Sequence, residues 1–363
     1  MPTSTATRLD YEALPGRVVF GDGAVGEVAA EVARLGARRA LLVDGLFDAP
    51  LVDRIERELG PRHAGTLAEV AQHVPAELAA RALARARELD ADCLVALGGG
   101  SATGVAKAVA KETGLPIIAV PTTYAGSEMT PIWGITTDAR KETGRDLAVL
   151  PRTVIYDPEL TVSLPPLASA ASGMNAVAHC VEAMWTAAAN PVTDAVAAEG
   201  IALLAAGLRG AVREPRDLEA RGRALRGAWL GGTALAVGGT GLHHKICHVL
   251  GGTFDLPHAE VHAIVLPWVV EHYREAAPAA LARVARALDA EDAVAGLREL
   301  GRDLGLEAGL ADFGLEQGDV ELASELAAAV APELPAPTSR AQIEEILDKA
   351  MYTGTTGKGV GNG

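Results

Sequence analysis

Short apolar runs alternate with amphipathic segments through the first half of the chain. Apolar runs of four or five residues bounded by turn residues predict buried strands, and the segments between them have helical spacing. The predicted strands are Arg17–Phe20, Arg39–Val43, Cys93–Leu97 and Ile117–Val120. The predicted helices are Val25–Leu35, Ala76–Leu89 and a segment that runs through Ala110. Strands that alternate with helices predict a doubly wound parallel sheet, an architecture that binds nucleotides.

The pattern changes after Asp157-Pro158, because strand signals almost vanish and long segments rich in alanine and leucine follow. The triplet Leu164-Pro165-Pro166 interrupts any regular element. We therefore predict an α/β fold of two domains, a dinucleotide-binding domain at residues 1–162 and an all-helical catalytic domain at residues 163–352. The active site is expected in the cleft between them. The glycine-rich tail at 353–363 is predicted to be disordered.

Composition and charge exclude several kinds of partner. The 363 residues carry a formal net charge of -15, which disfavours nucleic acid and anionic membranes. No apolar run approaches the ~20 residues that span a bilayer, and Met1–Tyr11 lacks the apolar core of a signal sequence. Three cysteines in apolar surroundings indicate a reducing compartment. We therefore expect a cytoplasmic protein that acts on a small molecule.

A glycine loop joins the predicted strand Cys93–Leu97 to the next helix. Gly98, Gly99, Gly100 and Ser101 allow a pyrophosphate to approach the backbone, and the helix N-terminus supplies N–H donors and the positive end of a dipole. The alternative is a plain turn from strand to helix, since the G-x-G-x-x-G fingerprint is absent here. We predict that this loop binds the phosphates of a dinucleotide.

Two other predicted strand ends carry polar side chains. Asp44 follows the strand Arg39–Val43, where an acidic residue can bind a ribose hydroxyl or simply cap the next turn. The polar turn Pro121–Glu128 follows the strand Ile117–Val120 and includes Tyr124, which is expected to contact the substrate. The hydroxyls expected to hold the phosphate or the nicotinamide ribose are those of Thr122, Thr123 and Ser127.

The second half of the chain concentrates the histidines. The chain has nine, and five of them fall between residues 243 and 262. His244 and His248 are four residues apart and therefore share a helix face, and His258 follows in a turn that can return to the same cleft. Surface or hydrogen-bonded core histidines are the structural alternative. We expect that outcome for His243 and His262, which would only pack or meet solvent.

Asn175 and His179 form a second pair spaced by four residues on one helix face. Together with His244 and His258 they have the composition of a divalent-metal site with one wrong ligand. A carboxylate would balance the charge of the metal, whereas the carboxamide of Asn175 offers a neutral oxygen. We therefore predict that no metal is required and that these residues, with His248, form a catalytic cluster.

The motifs together resemble the iron-containing alcohol dehydrogenase superfamily over roughly Tyr11–Met351. They are the glycine loop, the Pro121-Thr122-Thr123 turn, the Asn175-x-x-x-His179 pair and His244-x-x-x-His248 followed by Pro257-His258. The family has aspartate where Asn175 stands. That difference is similar to the maleylacetate reductase branch, as are the segments Thr123–Thr130, Leu150–Pro158 and Gly173–Glu182. The resemblance implies the dehydroquinate synthase-like fold shared by this superfamily.

The resemblance also implies an activity, a cofactor and an assembly. The expected reaction is the reduction of maleylacetate to 3-oxoadipate by NADH or NADPH, without metal, in the degradation of aromatic compounds by a homodimer. Maleylacetate is a dicarboxylate, so its site needs cations. Candidates are Lys245 beside the histidines and Arg145 or Arg152 at the cleft edge, and Lys141 at that edge is a candidate for the substrate or the cofactor.

Three alternatives stay open at this point. A metal-dependent alcohol or aldehyde oxidoreductase would have to tolerate Asn175. A lyase of the dehydroquinate synthase type would recycle its nicotinamide and needs a complete metal site, so Asn175 counts against it. A scaffold without catalytic activity would not need the glycine loop and the histidines.

Overall fold

The computed structural model describes residues 11–46, 48–137 and 140–352. Six of its strands are β1 (Arg17–Phe20), β2 (Ala40–Asp44), β3 (His63–Leu67), β4 (Cys93–Leu97), β5 (Ile117–Val120) and β8 (Thr153–Tyr156). These six form one parallel sheet in the order β1-β8-β5-β4-β2-β3. Two further strands, β6 (Ile132–Thr137) and β7 (Arg140–Arg145), form an antiparallel hairpin.

Helices cover both faces of the sheet. They are α1 (Val28–Arg34), α2 (Ala49–Leu59), α3 (Ala76–Glu88) and α4 (Gly100–Thr113). Successive strand residues point to opposite faces, so Leu42 contributes to a core with α1 and α2, and Leu41 to a core with α3 and α4. Both faces of a parallel sheet are buried in this way, which accounts for the continuous apolar runs of β2, β4 and β5.

The chain from Pro166 onward is helical. Its helices are α5 (Pro166–Ala183), α6 (Pro191–Arg213), α7 (Leu218–Gly238), α8 (Leu242–Thr253), α9 (His258–His272), α10 (Pro278–Ala287), α11 (Ala293–Asp303), α12 (Val320–Ala328) and α13 (Arg340–Met351). The 3-10 helices of the chain are Ala24–Glu27, Gly60–Arg62, Ser127–Met129, Leu147–Val149, Pro158–Thr161, Leu310–Phe313 and Gln317–Asp319. The helical core extends onto the sheet through Ala119, Val154 and Tyr156.

The predicted fold class is confirmed, and the expected strands agree closely with the observed ones. The pattern missed β3, β8 and the hairpin, because β3 is half-buried with Leu67 as its one large apolar residue and the hairpin is mostly polar. The change from sheet to helices falls between Tyr156 and Pro166. The division into two domains stays a prediction, and the tail at 353–363 lies outside the described residues.

Helix α6 meets the length and mean composition of a membrane span, although it contains no unbroken apolar run of that length. It has 23 residues, and its most apolar window has a mean hydropathy of 1.5. Half of that window is buried inside the protein, and the helix packs against α5 and α7. The packing explains the apolar composition as that of a core helix, which meets the same criteria of length and composition.

Candidate active site

The glycine loop is held against two neighbouring backbone segments. Gly98 has a φ of 134°, and a Cβ built on it would lie 3.0 Å from the backbone of Gly45. A Cβ on Gly99 would lie 2.9 Å from Cγ2 of Thr123. These two glycines are therefore required by the packing of the loop itself. Gly100 is exposed, and a Cβ there would meet only Ala125, at 3.8 Å.

The N-terminus of α4 opens at this loop without a capping side chain. The first N–H groups of a helix lack partners within the helix and attract anions. Ser101 is half-buried in the same turn. The arrangement therefore fits the predicted phosphate site, although the contact with a cofactor stays a prediction.

Asp44 and the threonines stand around the same loop. Asp44 pairs in register with Leu97, directly before Gly98, and its Oδ1 accepts a hydrogen bond from the Leu46 N–H at 2.8 Å. The carboxylate thus caps the turn, and its position at the strand end also fits the ribose role. Thr122 and Thr123 are half-buried at the end of β5, with Thr123 packed against Gly99.

The polar turn after β5 connects the sheet to the helical part. Gly126 has a φ of 77°, and a Cβ on it would lie 3.1 Å from Cα of Gly232 and 3.3 Å from Nδ1 of His179. Gly232 belongs to α7 and His179 to α5. The turn that packs against the glycine loop at one end therefore reaches the histidines at the other.

A buried lysine that the sequence analysis missed holds this turn. Nζ of Lys107 on α4 donates to the carbonyl oxygens of Ser127 (2.6 Å) and Ile132 (2.8 Å) and to Oγ1 of Thr130 (3.1 Å). Burial lowers the pKa of Lys107 to about 7, and the nearby Glu128 opposes that shift. Ser127, predicted to bind the cofactor, thus also anchors Lys107.

Helices α5, α8 and α9 bring seven polar residues into one histidine cluster. Its members are Asn175 and His179 from α5, His243, His244 and His248 from α8, and His258 and His262 from α9. The rings of His179 and His244 are stacked at 4.9 Å between centroids. The ring of His262 lies 4.5 Å from those of both His244 and His258. The structure therefore brings together the residues predicted to form the catalytic cluster.

His243 and His262 are hydrogen-bonded core histidines, which is one of the outcomes expected for them, and they also lie against the predicted cluster. Both are fully buried, and Nε2 of His243 and Nδ1 of His262 are hydrogen-bonded at 2.8 Å. The rings of His243 and His244 lie 5.3 Å apart, although the two residues are adjacent in sequence. Adjacent positions on a helix point about 100° apart. Both His243 and His244 reach the cluster because α9 packs against the two sides of α8 on which they lie. The spacing of residues along α8 alone cannot show this contact.

Glu182 is a second residue of this site that the sequence analysis gave no role. Its carboxylate is fully buried and accepts hydrogen bonds from the His243 backbone N–H at 2.8 Å and from Nδ1 of His244. The ion pair fixes the orientation of the His244 ring and keeps a proton on Nδ1. Nε2 of His244 is buried and has no hydrogen-bond partner in the described part of the chain. The available signal was the spacing His179-x-x-Glu182, which places both side chains on one helix face.

Unsatisfied polar atoms concentrate in the histidine cluster. Six buried side-chain nitrogen or oxygen atoms lack a partner in the described part of the chain, and four belong to the cluster. These four are Asn175 Oδ1, His179 Nδ1, His244 Nε2 and His262 Nε2. Burial, together with the charges of neighbouring histidines, places the pKa values of His179, His243 and His262 well below the usual range. Those three imidazoles are therefore neutral at pH 7.

The donors of the cluster include no free carboxylate in the described part of the chain. The nitrogens of His243, His244 and His262 lie within 4.8 Å of one another, but two of these rings are hydrogen-bonded to each other. Glu182, the buried carboxylate in contact with the cluster, is already engaged by His243 and His244. Asn175 contributes a neutral oxygen. A divalent cation at the predicted positions Asn175, His179, His244 and His258 would therefore have only neutral ligands, which bind it more weakly than a set that includes a carboxylate.

Other predicted substrate contacts fall outside the cluster. The structure contradicts the role expected of Tyr124, because its side chain is fully buried and its hydroxyl accepts a hydrogen bond from Arg221. Arg145 donates to the carbonyl oxygen of Ala236 at 2.7 Å, so it links β7 to α7. Lys245 is half-buried on α8. The side chain of Lys141 lies outside the described residues.

Comparison with known proteins defines the class. The family described as "Iron-containing alcohol dehydrogenase" matches residues 15–158, and "Fe-containing alcohol dehydrogenase family, C-terminal" matches residues 169–351. The chain belongs to the iron-containing alcohol dehydrogenase family.

Several relatives within that family are maleylacetate reductases. Maleylacetate reductase 2 of Cupriavidus pinatubonensis is 49% identical over 94% of this chain and 95% of its own length. The maleylacetate reductase of Burkholderia cepacia is 46% identical over 94% of this chain and 97% of its own. The crystal structure of maleylacetate reductase from Rhizobium sp. strain MTP-10005 has a TM-score of 0.91 and 42% identity, and the match covers 96% of this chain and all of that one.

Proposed function

We propose that this protein is an oxidoreductase that reduces the carbon–carbon double bond of maleylacetate with NADH or NADPH and releases 3-oxoadipate. The near full-length similarity to several maleylacetate reductases supports the substrate. The observation that carries the chemistry is the unpartnered Nε2 of the buried His244, with Glu182 on the opposite ring nitrogen. That geometry offers a fixed donor to an oxygen atom of the substrate.

The reaction begins with hydride transfer from the nicotinamide. Maleylacetate has a double bond conjugated to a ketone, and the hydride adds to the alkene carbon farther from the ketone. The electron pair of the double bond moves toward the ketone, so the negative charge develops on its oxygen as an enolate. A proton supplied by the histidine cluster to the carbon next to the ketone then gives 3-oxoadipate, and the cofactor, when bound, would be left as NAD⁺ or NADP⁺.

The histidine cluster stabilises the enolate. With Nδ1–H directed at Glu182, Nε2 of His244 is the ring atom that faces the ketone oxygen, and in the protonated ring it donates to that oxygen while the Glu182 carboxylate balances the charge. The neutral rings of His179, His243 and His262 surround this position and exclude water. The amide of Asn175 supplies a further polar contact without adding charge. In this mechanism His248 and His258 line the more exposed side of the site.

The glycine loop and the N-terminus of α4 would hold the pyrophosphate of the cofactor. Asp44, Thr122 and Thr123 lie at neighbouring strand ends and would contact its ribose groups or phosphate. The contact of Gly126 with His179 brings the loop region beside the cluster, as hydride transfer requires. The choice between NADH and NADPH depends on contacts near Asp44, where a carboxylate favours the free ribose hydroxyl of NADH.

We further propose that catalysis needs no metal, because the donors of the cluster lack an anionic ligand. Three buried free cysteines, Cys93, Cys180 and Cys247, support a reducing, cytoplasmic setting. The family resemblance supports a homodimer, which sedimentation at micromolar concentration tests. The substrate is a dicarboxylate, and the proposal includes neither a nucleic-acid nor a membrane partner.

A cofactor-oxidation assay tests the function. The purified protein is given NADH or NADPH with maleylacetate, and in parallel with simple aldehydes and ketones, each with and without a chelator. We expect rapid oxidation with maleylacetate alone, unchanged by the chelator. Preference for an aldehyde, together with loss of activity on chelation, would identify a metal-dependent alcohol or aldehyde oxidoreductase instead.

A further inference from the structure

A histidine from the sheet side reaches the histidine cluster across the cleft. His73 lies in the loop between β3 and α3, and its ring meets that of His258 edge-on at 6.4 Å between centroids. The ring of His258 is in turn stacked with that of His248 at 6.2 Å. These three half-buried or exposed residues form a rim, defined here as His73, His248 and His258, above the buried rings.

The backbone that presents His73 is strained. His73 and Val74 have φ values of 61° and 47°, directly before Pro75. Left-handed backbone is uncommon for histidine and rare for a β-branched residue such as valine. Two consecutive residues in this region persist only where the surroundings enforce the conformation, and such strain concentrates at functional sites.

The strained conformation is enforced from two sides. Thr136 on β6 donates through Oγ1 to the His73 carbonyl oxygen (2.8 Å) and through its N–H to the Val74 carbonyl oxygen (3.0 Å). The buried Val74 packs against α4, where a Cβ on Gly104 would lie 2.7 Å from its Cγ2. The helix that starts at the glycine loop therefore also fixes the position of His73.

We propose that His73 binds the substrate carboxylate at the alkene end, an inference that rests on the proposed function. The carbon that accepts hydride bears this carboxylate and must face the nicotinamide. A cofactor held by the glycine loop would place its nicotinamide on the sheet side, where the loop that carries His73 packs against α4. The ketone oxygen lies deeper, at His244. An imidazole N–H at the rim then donates to the carboxylate in either protonation state of His73.

The test compares His73→Ala, His73→Gly and a control, His63→Ala, which removes a histidine of β3 bound to Thr66. A hydrogen bond to a charged group contributes roughly tenfold to hundredfold in affinity. We expect KM for maleylacetate to rise by about that factor in both His73 variants, with kcat and KM for NADH changed less than about twofold, because uniform binding is lost. The control should retain wild-type constants.

The glycine variant separates substrate binding from backbone support, because glycine adopts the left-handed conformation without strain. Wild-type KM in folded His73→Gly would overturn the proposal. (Z)-4-Oxopent-2-enoate keeps the alkene-end carboxylate and lacks the other one, so the penalty of His73→Ala should persist with it. Loss of that penalty would overturn the assignment of the carboxylate. A wild-type protein inactive toward maleylacetate would instead contradict the proposed function.

Discussion

Two clusters of buried polar residues lie within the same protein, and they differ in how completely their hydrogen bonds are formed. Around Lys107, the ammonium group meets several oxygen acceptors, and Tyr156 donates to Glu128 at 2.7 Å. None of these atoms is among the buried unsatisfied atoms of the described residues. In the histidine cluster, four buried atoms lack partners.

The difference in hydrogen bonding separates a cluster with a structural role from one that can bind a ligand. A buried polar group without a partner costs about 1–3 kcal/mol, so four in one place are retained only where something else offsets them. A substrate oxygen or carboxylate is such a partner. The cluster around Lys107 has nothing left to offer a ligand, and its hydrogen bonds join α4 to the turn that touches His179. We infer that one cluster holds the site together and the other carries out the reaction.

The largest expected effect is on stability, from Lys107→Met. Removing the amine leaves the carbonyls of Ser127 and Ile132 without their donor, at a cost of about 1–3 kcal/mol for each. The matched control is Lys111→Met, one turn further along α4, where the partly exposed pair with Glu112 contributes at most about 1 kcal/mol. Urea denaturation at pH 7 measures both. Equal losses in the two variants would contradict a structural role for the Lys107 cluster.

The next effect is on turnover, from His244→Ala. Losing one donor to an oxyanion lowers kcat by roughly 10²–10³. His244→Ala also removes the Nδ1 donor from the buried Glu182 carboxylate, so the free energy of unfolding should fall as well, and turnover is compared on the folded fraction of the variant. His272→Ala is the control, since this histidine of α9 binds Thr338 and lies apart from the cluster. Steady-state kinetics measure kcat, and circular dichroism shows that each variant is folded. A normal kcat in folded His244→Ala would mean that His244 has no part in the mechanism.

The sequence predicted the parts of the site that lie within one segment. Gly98–Ser101 could be found because a strand, a glycine run and a helix follow each other directly. The pairs Asn175–His179 and His244–His248 could be found because helix spacing places them on one face. Lys107 was not found, since its acceptors are at residues 127–132 and a lysine in a helix ordinarily faces water.

Other parts depend on packing between segments. His262 and His73 enter the site because α9 and the loop before α3 lie beside α8 and β6, and no periodicity along the chain shows this. Tyr124 was wrongly assigned to the substrate because the sequence could not show that Arg221, 97 residues away, would bind its hydroxyl in the core. The sheet itself was predictable wherever strands are buried on both faces and therefore apolar throughout.

The third prediction concerns a substitution that adds a carboxylate to the histidine cluster. Asn175→Asp places a carboxylate beside the unpartnered nitrogens and should tighten Zn²⁺ or Fe²⁺ binding by about tenfold or more, roughly 1.4 kcal/mol. The wild type should contain well under one equivalent of metal per chain. Asn190→Asp, at the N-cap of α6, adds the same charge outside the cluster and should have no effect on metal content. Metal analysis and titration measure the change, and tightly bound stoichiometric metal in the wild type would contradict the metal-free mechanism.

The smallest effect concerns acid stability and tests whether the buried imidazoles are neutral. Because the pKa of His262 lies well below 6.5 in the folded protein, the unfolded chain binds its proton first as the pH falls. Each such histidine is neutral in both states at pH 8 and costs about 1 kcal/mol of stability by pH 5.5, since stability rises with pH wherever the unfolded state binds more protons. His262→Gln keeps a hydrogen-bonding group for His243 but cannot titrate. The free energy of unfolding should therefore fall about 1 kcal/mol less between pH 8 and pH 5.5 in the variant than in the wild type, whatever the two stabilities at pH 8. If the free energy of unfolding fell equally with pH in the variant and the wild type, His262 would accept its proton in the folded protein. The histidine cluster would then not be neutral at this residue.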